Sequence, residues 1–236
     1  MAVAAPFTGF SREAVEFLAE LALNNDRSWF QPRKARYEAL LKEPLSALCG
    51  AMAERFETHK VPLRADPARS PFRIYRDVRF SADKSPYKTH ISASFPWVGE
   101  GGGVGAYFHL QPGEIFAGGG MWHPEPAQLA GWRSTVDTRP DAVKAVLESP
   151  EFVATFGSVS GDSLKRVPTG FAADHPAAEL LKLKDVTFGR HLSDEDAGSP
   201  NLPDILLETF VVAIPLLGLL AKLSPGETRA GWLRGS

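Results

Sequence analysis

Two alternating runs flank the dipeptide Pro112-Gly113, and this stretch restricts the fold more than any other in the chain. Proline presets its own φ and glycine accepts positive φ, so the pair suits the two central positions of a type II turn. The turn predicts a hairpin of Ala106 to Gln111 with Glu114 to Met121 and fixes its register. Leu110 then faces Ile115, Phe108 faces Ala117 and Tyr107 faces Gly118. One face of the ribbon is apolar, through Ala106, Phe108, Leu110, Ile115 and Ala117. The other carries Tyr107, His109, Gln111, Phe116, Gly118 and Gly120. Glycines weaken a strand, but they admit a ligand or a second backbone at close range. Tyr107 packing over Gly118 is the alternative use of that space.

Around the hairpin the hydrophobic period changes. In the first sixty residues apolar side chains recur at helical spacing. Ser11 is placed to cap a helix that aligns Ala14, Phe17, Leu18, Leu21 and Ala22, and Asn24-Asn25-Asp26 ends it. A second helix is expected from Arg27 to about Leu41, and a third from Pro44 to near Thr58. From residue 71 the period is 2. Phe72 to Phe80 reads as a strand, with Phe72, Ile74, Val78 and Phe80 on one face and Arg73, Tyr75, Asp77 and Arg79 on the other. Ile91 to Phe95 is a second strand, and a glycine-rich loop, Gly99 to Gly105, follows. Helices are expected over Pro124–Val136, Pro140–Glu148 and Ala177–Leu183, strands over Leu164–Val167 and Val186–Leu192, and a last helix over Pro203–Lys222. Helices, then clustered strands, then helices give an α+β fold. Its central, mostly antiparallel sheet should pack against the N-terminal helices and the C-terminal helix. Residues 1–236 are expected to form one domain, with a candidate lobe boundary at Gly157 to Gly161.

Composition excludes several classes. Hydrophobic residues make up 44% and charged residues 23% of the 236, a balance that excludes global disorder. The single cysteine, Cys49, excludes a disulfide framework and a cysteine-rich zinc site; it lies in an apolar-periodic stretch and reads as a packed thiol. A net charge of −2 is too balanced for a general nucleic-acid or membrane coat. The N-terminal residues lack a secretory pattern, and the apolar run Phe210–Ala221, interrupted by Pro215, falls short of the ~20 residues that span a bilayer. The expectation is a soluble cytoplasmic protein without a membrane partner.

The charge is uneven. Arg64 to His90 holds seven basic and three acidic residues, so this segment is +4 and the rest of the chain −6. Arginine forks match phosphate and carboxylate, which makes a basic island a candidate anion site. The competing reading is a solvated strand face on which Arg73 and Arg79 pair with neighbouring acids. Arg76 breaks the alternation by falling on the apolar face. A buried charge is costly without a partner, so an acid such as Asp83 is expected against it, as a structural ion pair or part of a ligand clamp. The following loop, Ser81 to His90, is dense in donors. Lys84, Ser85, Tyr87, Lys88, Thr89 and His90 can converge there on an oxyanion, although the loop lacks the Walker A pattern.

These residues also carry a resemblance. The Asn24-Asn25 helix end with Trp29-Phe30, the block R-I-Y-R-D-V-R-F-S-A-D-K-S-P-Y-K-T (Arg73 to Thr89), Gly118-Gly119-Gly120 with Pro124, and P-T-G-F-A-A-D-H-P (Pro168 to Pro176) resemble an uncharacterised family of bacterial and fungal conserved hypothetical proteins, a domain of unknown function. The likeness runs over roughly residues 7 to 222. It implies one compact domain with its signature at the basic loop, and brings no activity or cofactor. Where a more basic Pro-Lys-Gly would offer a lysine, this chain has Pro168-Thr169-Gly170.

Other chemistries fit less well. His123-Pro-Glu125 is half of a zinc deaminase pattern whose cysteine half is missing, and no H-E-x-x-H occurs. His175, between Asp174 and Pro176, suits a helix cap. Ser85, His90 and Asp83 could form a triad, but there is no G-x-S-x-G elbow. No metal and no cofactor is expected. The leading expectation is a pocket that binds or converts a small anionic, phosphate-bearing ligand. Its lining comprises Arg73, Arg76, Arg79, Lys84, Ser85, Tyr87, Lys88, Tyr107, Gly118 and Gly120, with Asp77 or His90 as the acid–base group. Arg73, Arg79, Lys84 and Lys88 should then share one concave surface. The runner-up is a single-stranded nucleic-acid module stacking bases on Phe72, Tyr75, Phe80 and Tyr87. The third reading is a non-catalytic interaction domain. Oligomeric state is left open.

Overall fold

The computed structural model describes residues 6–79, 81–99 and 102–223. Helix α1 (Arg12–Leu23) begins where Ser11 Oγ accepts the Ala14 N–H at 3.3 Å, and buries Ala14, Phe17, Leu18 and Leu21. The second and third expected helices form one continuous but irregular path. Helix α2 (Arg27–Phe30) is capped by Asp26 and leads into a 3-10 turn at Gln31–Arg33, helix α3 (Lys34–Tyr37), a π turn at Glu38–Lys42 and helix α4 (Glu43–Thr58). The irregular turns fall at Pro32 and before Pro44. A proline has no N–H to give the preceding turn, so the hydrogen-bond spacing shifts and Glu38 O is taken by Glu43 N–H instead.

Four antiparallel strands follow in sheet order: β1 (Ile91–Pro96), β2 (Val104–Gln111), β3 (Glu114–Met121) and β4 (Val186–His191). The hairpin has the expected register, with Leu110 opposite Ile115 and Tyr107 opposite Gly118, and Gly113 takes a φ of 79° in the turn. The inner face packs on α4 and on helix α10 (Leu202–Ala221). Phe95 touches both Phe56 and Phe210 at 5.6 Å between ring centroids, and Phe10 stacks on Phe108 at 6.0 Å. By length and composition α10 could cross a bilayer, since it starts before the apolar run seen in the sequence; here Leu206, Phe210, Ala213 and Leu217 are buried in the core. The architecture is α+β, with N-terminal helices and a C-terminal helix against the sheet.

Between β3 and β4 lie α5 (Pro126–Thr138), α6 (Pro140–Leu147), α7 (Pro150–Phe156) and α8 (Ala178–Lys182); α9 (Asp194–Gly198) follows β4. The sequence reading did not anticipate α7 and α9, although Ser149 and Ser193 cap them with their hydroxyls. Two expected strands form no ladder among the described residues. Leu164–Val167 offers only the Ser163–Leu183 bridge beside it, with Leu164 N–H donating to Lys182 O. Phe72–Phe80 keeps its alternation but not its pairing: Ile74 is buried, Arg76 and Val78 are half-buried, and Arg73, Tyr75, Asp77 and Arg79 are exposed. Its hydrogen bonds go first to β1 (Phe72 N–H to Ser92 O, 2.9 Å). They then turn to the chain's own return, with Arg76 N–H on Pro86 O and Lys88 N–H on Ile74 O. Phe80 lies outside the described residues. Ser160, in the candidate boundary segment, bridges Thr187 on the open edge of β4.

Candidate functional site

The site is built on a clamp between the first helices and the basic segment. Asn25 Nδ2 donates to Tyr87 O at 2.9 Å and Asn25 Oδ1 accepts Tyr87 N–H at 3.0 Å. The Tyr87 ring, 1% exposed, stacks on Phe30 at 4.1 Å. Held this way, the next residue has little freedom. Lys88 is only 8% exposed, and its Nζ lies over the Phe72 ring, 5.1 Å from the centroid. Burial lowers its pKa, and the Arg73 charge adds to the effect. Among the described residues no carboxylate comes within ion-pair distance of it.

Lys88 and Phe72 border two cavities. The larger, about 550 Å³, lies over the outer face of the sheet. His90, Ser92, Tyr107, His109 and Phe116 line its near side; Trp122, Ser160, Thr187, Phe188, Gly189 and His191 line its far side. His109 stacks on Phe116 at 4.9 Å, meets the His90 ring at 4.4 Å, and places Nδ1 3.1 Å from Tyr107 Oη. Burial, with His109 and Lys88 nearby, holds His90 down at about 3, so it is a neutral imidazole at neutral pH. Burial also lowers His109 and raises Tyr107. The smaller cavity, about 220 Å³, is lined by Arg69, Ser70, Arg73, Tyr75, Asp77 and Ser94, together with Phe72 and Lys88.

The glycines of β3 and β4 play different parts. A Cβ on Gly118, Gly119 or Gly120 would sit 2.1–2.3 Å from a carbonyl oxygen of a neighbouring strand. Close backbone packing therefore demands these three, and neither Gly118 nor Gly120 lines either of these two cavities, although Gly119 borders the larger. Gly189, opposite Gly118, is under no such demand. A Cβ there would meet Ala117 O at 3.6 Å and the Phe116 ring edge at 3.8 Å, both ordinary contacts.

Of the residues singled out in the sequence, the structure brings Arg73, Asp77 and Lys88 to the smaller cavity and Lys88, His90 and Tyr107 to the larger. The rest do not join them. Arg76 bonds Asp83, which also accepts Ser85 Oγ at 2.6 Å. Arg79 is forked onto Asp77 at 2.6 and 2.9 Å, and Lys84 Nζ donates to Val78 O at 2.9 Å. The four cations expected on one surface are thus divided: Arg73 and Lys88 share a cavity, while Arg79 and Lys84 line neither. The Arg79 bonds hold Asp77 at about 2, an ionised carboxylate unsuited to proton donation. Ser85 and Asp83 bond each other, whereas the His90 ring lies against His109, so no triad assembles. His175 Nδ1 accepts the Ala177 N–H at the start of α8. Cys49 is fully buried, which raises its thiol pKa. No group of three metal-ligating side chains occurs among the described residues. The far wall of the large cleft was missed. Its one legible signal was the lone Gly189 inside an otherwise regular strand pattern.

The family model of a conserved hypothetical protein, DUF2461, matches residues 13–218. No curated protein and no solved structure matches the chain.

Proposed function

The chain belongs to the DUF2461 family of conserved hypothetical proteins, and from its site we propose that it binds a small anion, phosphate in chemistry, where Lys88 and Arg73 meet. One observation carries this reading: Lys88 is buried beside a cavity and faces an aromatic ring and a second cation instead of a carboxylate. Removing a charge from water costs several kcal/mol unless a counter-charge replaces the lost hydration. An entering anion supplies that counter-charge, and Arg73 adds a planar fork suited to phosphate oxygens. His90, held at about 3 in the adjoining cleft, is too weak a base to exchange protons at neutral pH and offers the ligand a neutral ring nitrogen.

The single-strand reading has less support. Tyr87 offers no free face beneath Phe30, and Arg76 and Arg79 are engaged by acids; among the described rings of the set Phe72 is half-buried and Tyr75 is 45% exposed.

The test is calorimetric titration of inorganic phosphate into the wild type and into Lys88→Met and Arg73→Gln, at low and high salt. A charge-assisted hydrogen bond contributes about 1.5–3 kcal/mol, so Lys88→Met should weaken binding roughly ten- to a hundredfold while remaining folded. Unchanged phosphate affinity in Lys88→Met overturns the proposal. A steep fall of oligonucleotide affinity with salt, without phosphate binding, replaces it with the nucleic-acid reading.

A further inference from the structure

We infer that the anion recognised here carries a flat aromatic ring, which the larger cleft receives against the bare backbone of Gly189. This rests on the anion reading and adds the ligand's class to it: an aryl phosphate or an aryl carboxylate.

Phosphate alone leaves the larger cleft unexplained. Its volume of about 550 Å³ is that of a small-molecule site, and the rings of Phe72, Phe116 and Trp122 are among its walls. Rings attract rings in offset or edge-on arrangements, so such walls select a flat aromatic body over a compact or highly hydrated one. Lys88 and Phe72 border both cavities, which places the charge of a bound ligand at one end of this space and its ring in the remainder.

Gly189 supplies the independent observation. A glycine inside a strand costs conformational entropy and forfeits packing, so its presence needs a cause. For Gly118, Gly119 and Gly120 the cause is the neighbouring backbone at 2.1–2.3 Å from any added Cβ. At Gly189 the added Cβ would find nothing closer than 3.6 Å and φ is not positive. The fold therefore accepts a side chain at this position, and what a side chain would remove is cleft volume.

The experiment compares phenylphosphonate, inorganic phosphate and benzyl alcohol by calorimetry on the full chain, in the wild type, Gly189→Val and Lys88→Met. Phenylphosphonate should bind the wild type at least about tenfold more tightly than inorganic phosphate, because the ring leaves water. Gly189→Val should abolish that preference, keep the wild-type affinity for inorganic phosphate, and melt no lower than the wild type, since valine favours strands. Lys88→Met should weaken both anions. If Gly189→Val melts lower, Gly189→Ala reads the same comparison with a single methyl group. Equal affinity of the wild type for the two anions, or a preference that survives the substitution at Gly189, overturns the inference. Failure of inorganic phosphate to bind the wild type sinks the anion reading instead; benzyl alcohol binding that Gly189→Val removes still supports a ring compartment.

Discussion

Arg76 and Lys88 come from the same basic segment, yet their charges meet opposite surroundings. All three acids of that segment are engaged: Asp66 by Arg69, Asp77 by Arg79 and Asp83 by Arg76. Arg69 and Arg79 lie mostly in water, and half-buried Arg76 reaches out to a largely exposed Asp83, so screening leaves each pair weak and self-contained. The surplus charge falls on Arg64, Arg73, Lys84 and Lys88, and of these Arg73 and Lys88 border a common cavity. A count of cations therefore locates the segment, while their pairing locates the site within it. The stretch from Arg76 to Tyr87 is closed on itself by ion pairs, the Asn25 clamp and the Tyr87 ring. The stretch around Lys88 and His90 opens onto the cleft.

Tyr87→Ala tests the closed stretch most severely. Removing a ring that is 1% exposed and stacked on Phe30 should cost about 3–5 kcal/mol in urea denaturation. A loss well below 1 kcal/mol would assign Tyr87 to the open side. Asn25→Ala abandons the amide and carbonyl of Tyr87 together and should cost about 2 kcal/mol. It should also weaken phosphate binding, because Lys88 is positioned from that clamp.

pH separates the two stretches by window. The unfolded chain protonates its histidine near 6.5 and folded His90 only at about 3, so between these values the unfolded state binds more protons. Stability should therefore be complete above about pH 6.5 and decline toward pH 3 by up to about 1.4 kcal/mol per unit. His109, lowered for the same reason, acts in the same direction. His90→Gln should flatten this limb. Asp77 titrates from 3.8 unfolded to about 2 folded, so the stability it contributes is lost at the foot of that limb and beyond it, as pH falls from about 4 to 2. A decline beginning only below pH 4 would show that His90 is more hydrated than its surroundings imply. The smallest effect belongs to Arg79→Ala, which should leave the melting temperature and the phosphate affinity unchanged. Loss of binding there would place Arg79 in the site.

What the sequence made legible was local or chemically forced. The Pro112-Gly113 turn dictated the hairpin register residue by residue, because a two-residue turn permits no slippage without reversing both faces. The Arg76–Asp83 pair was legible because an arginine in an apolar register must find an acid nearby. Alternation over Phe72–Arg79 divided inward from outward residues but not their partners, since exposure depends on the face and pairing on distant chain. The far wall of the cleft was hidden for that reason. Trp122 follows β3 directly, but Ser160 arrives only after α7 and β4 only after α8. The Gly118–Gly120 run suggested space for a ligand, yet the neighbouring strands occupy it, and the glycine beside free space was the isolated one.

β4 has a consequence for how the molecule opens. Among the described residues its ladder partner is β3, and its other edge is held by the short bridge to Ser160. Sub-global opening begins where few such attachments must break. Release of β4 would carry away Gly189 and its part of the far wall while leaving Lys88 on its clamp, and it would break the Arg190 Nη1 bond to Thr209 Oγ1 of α10. A ligand that reaches from Lys88 to Gly189 bridges the first strand's side of the sheet to the last. It acts as a fastener, and the amides of Thr187 to His191 should exchange with solvent more slowly in proportion to its occupancy.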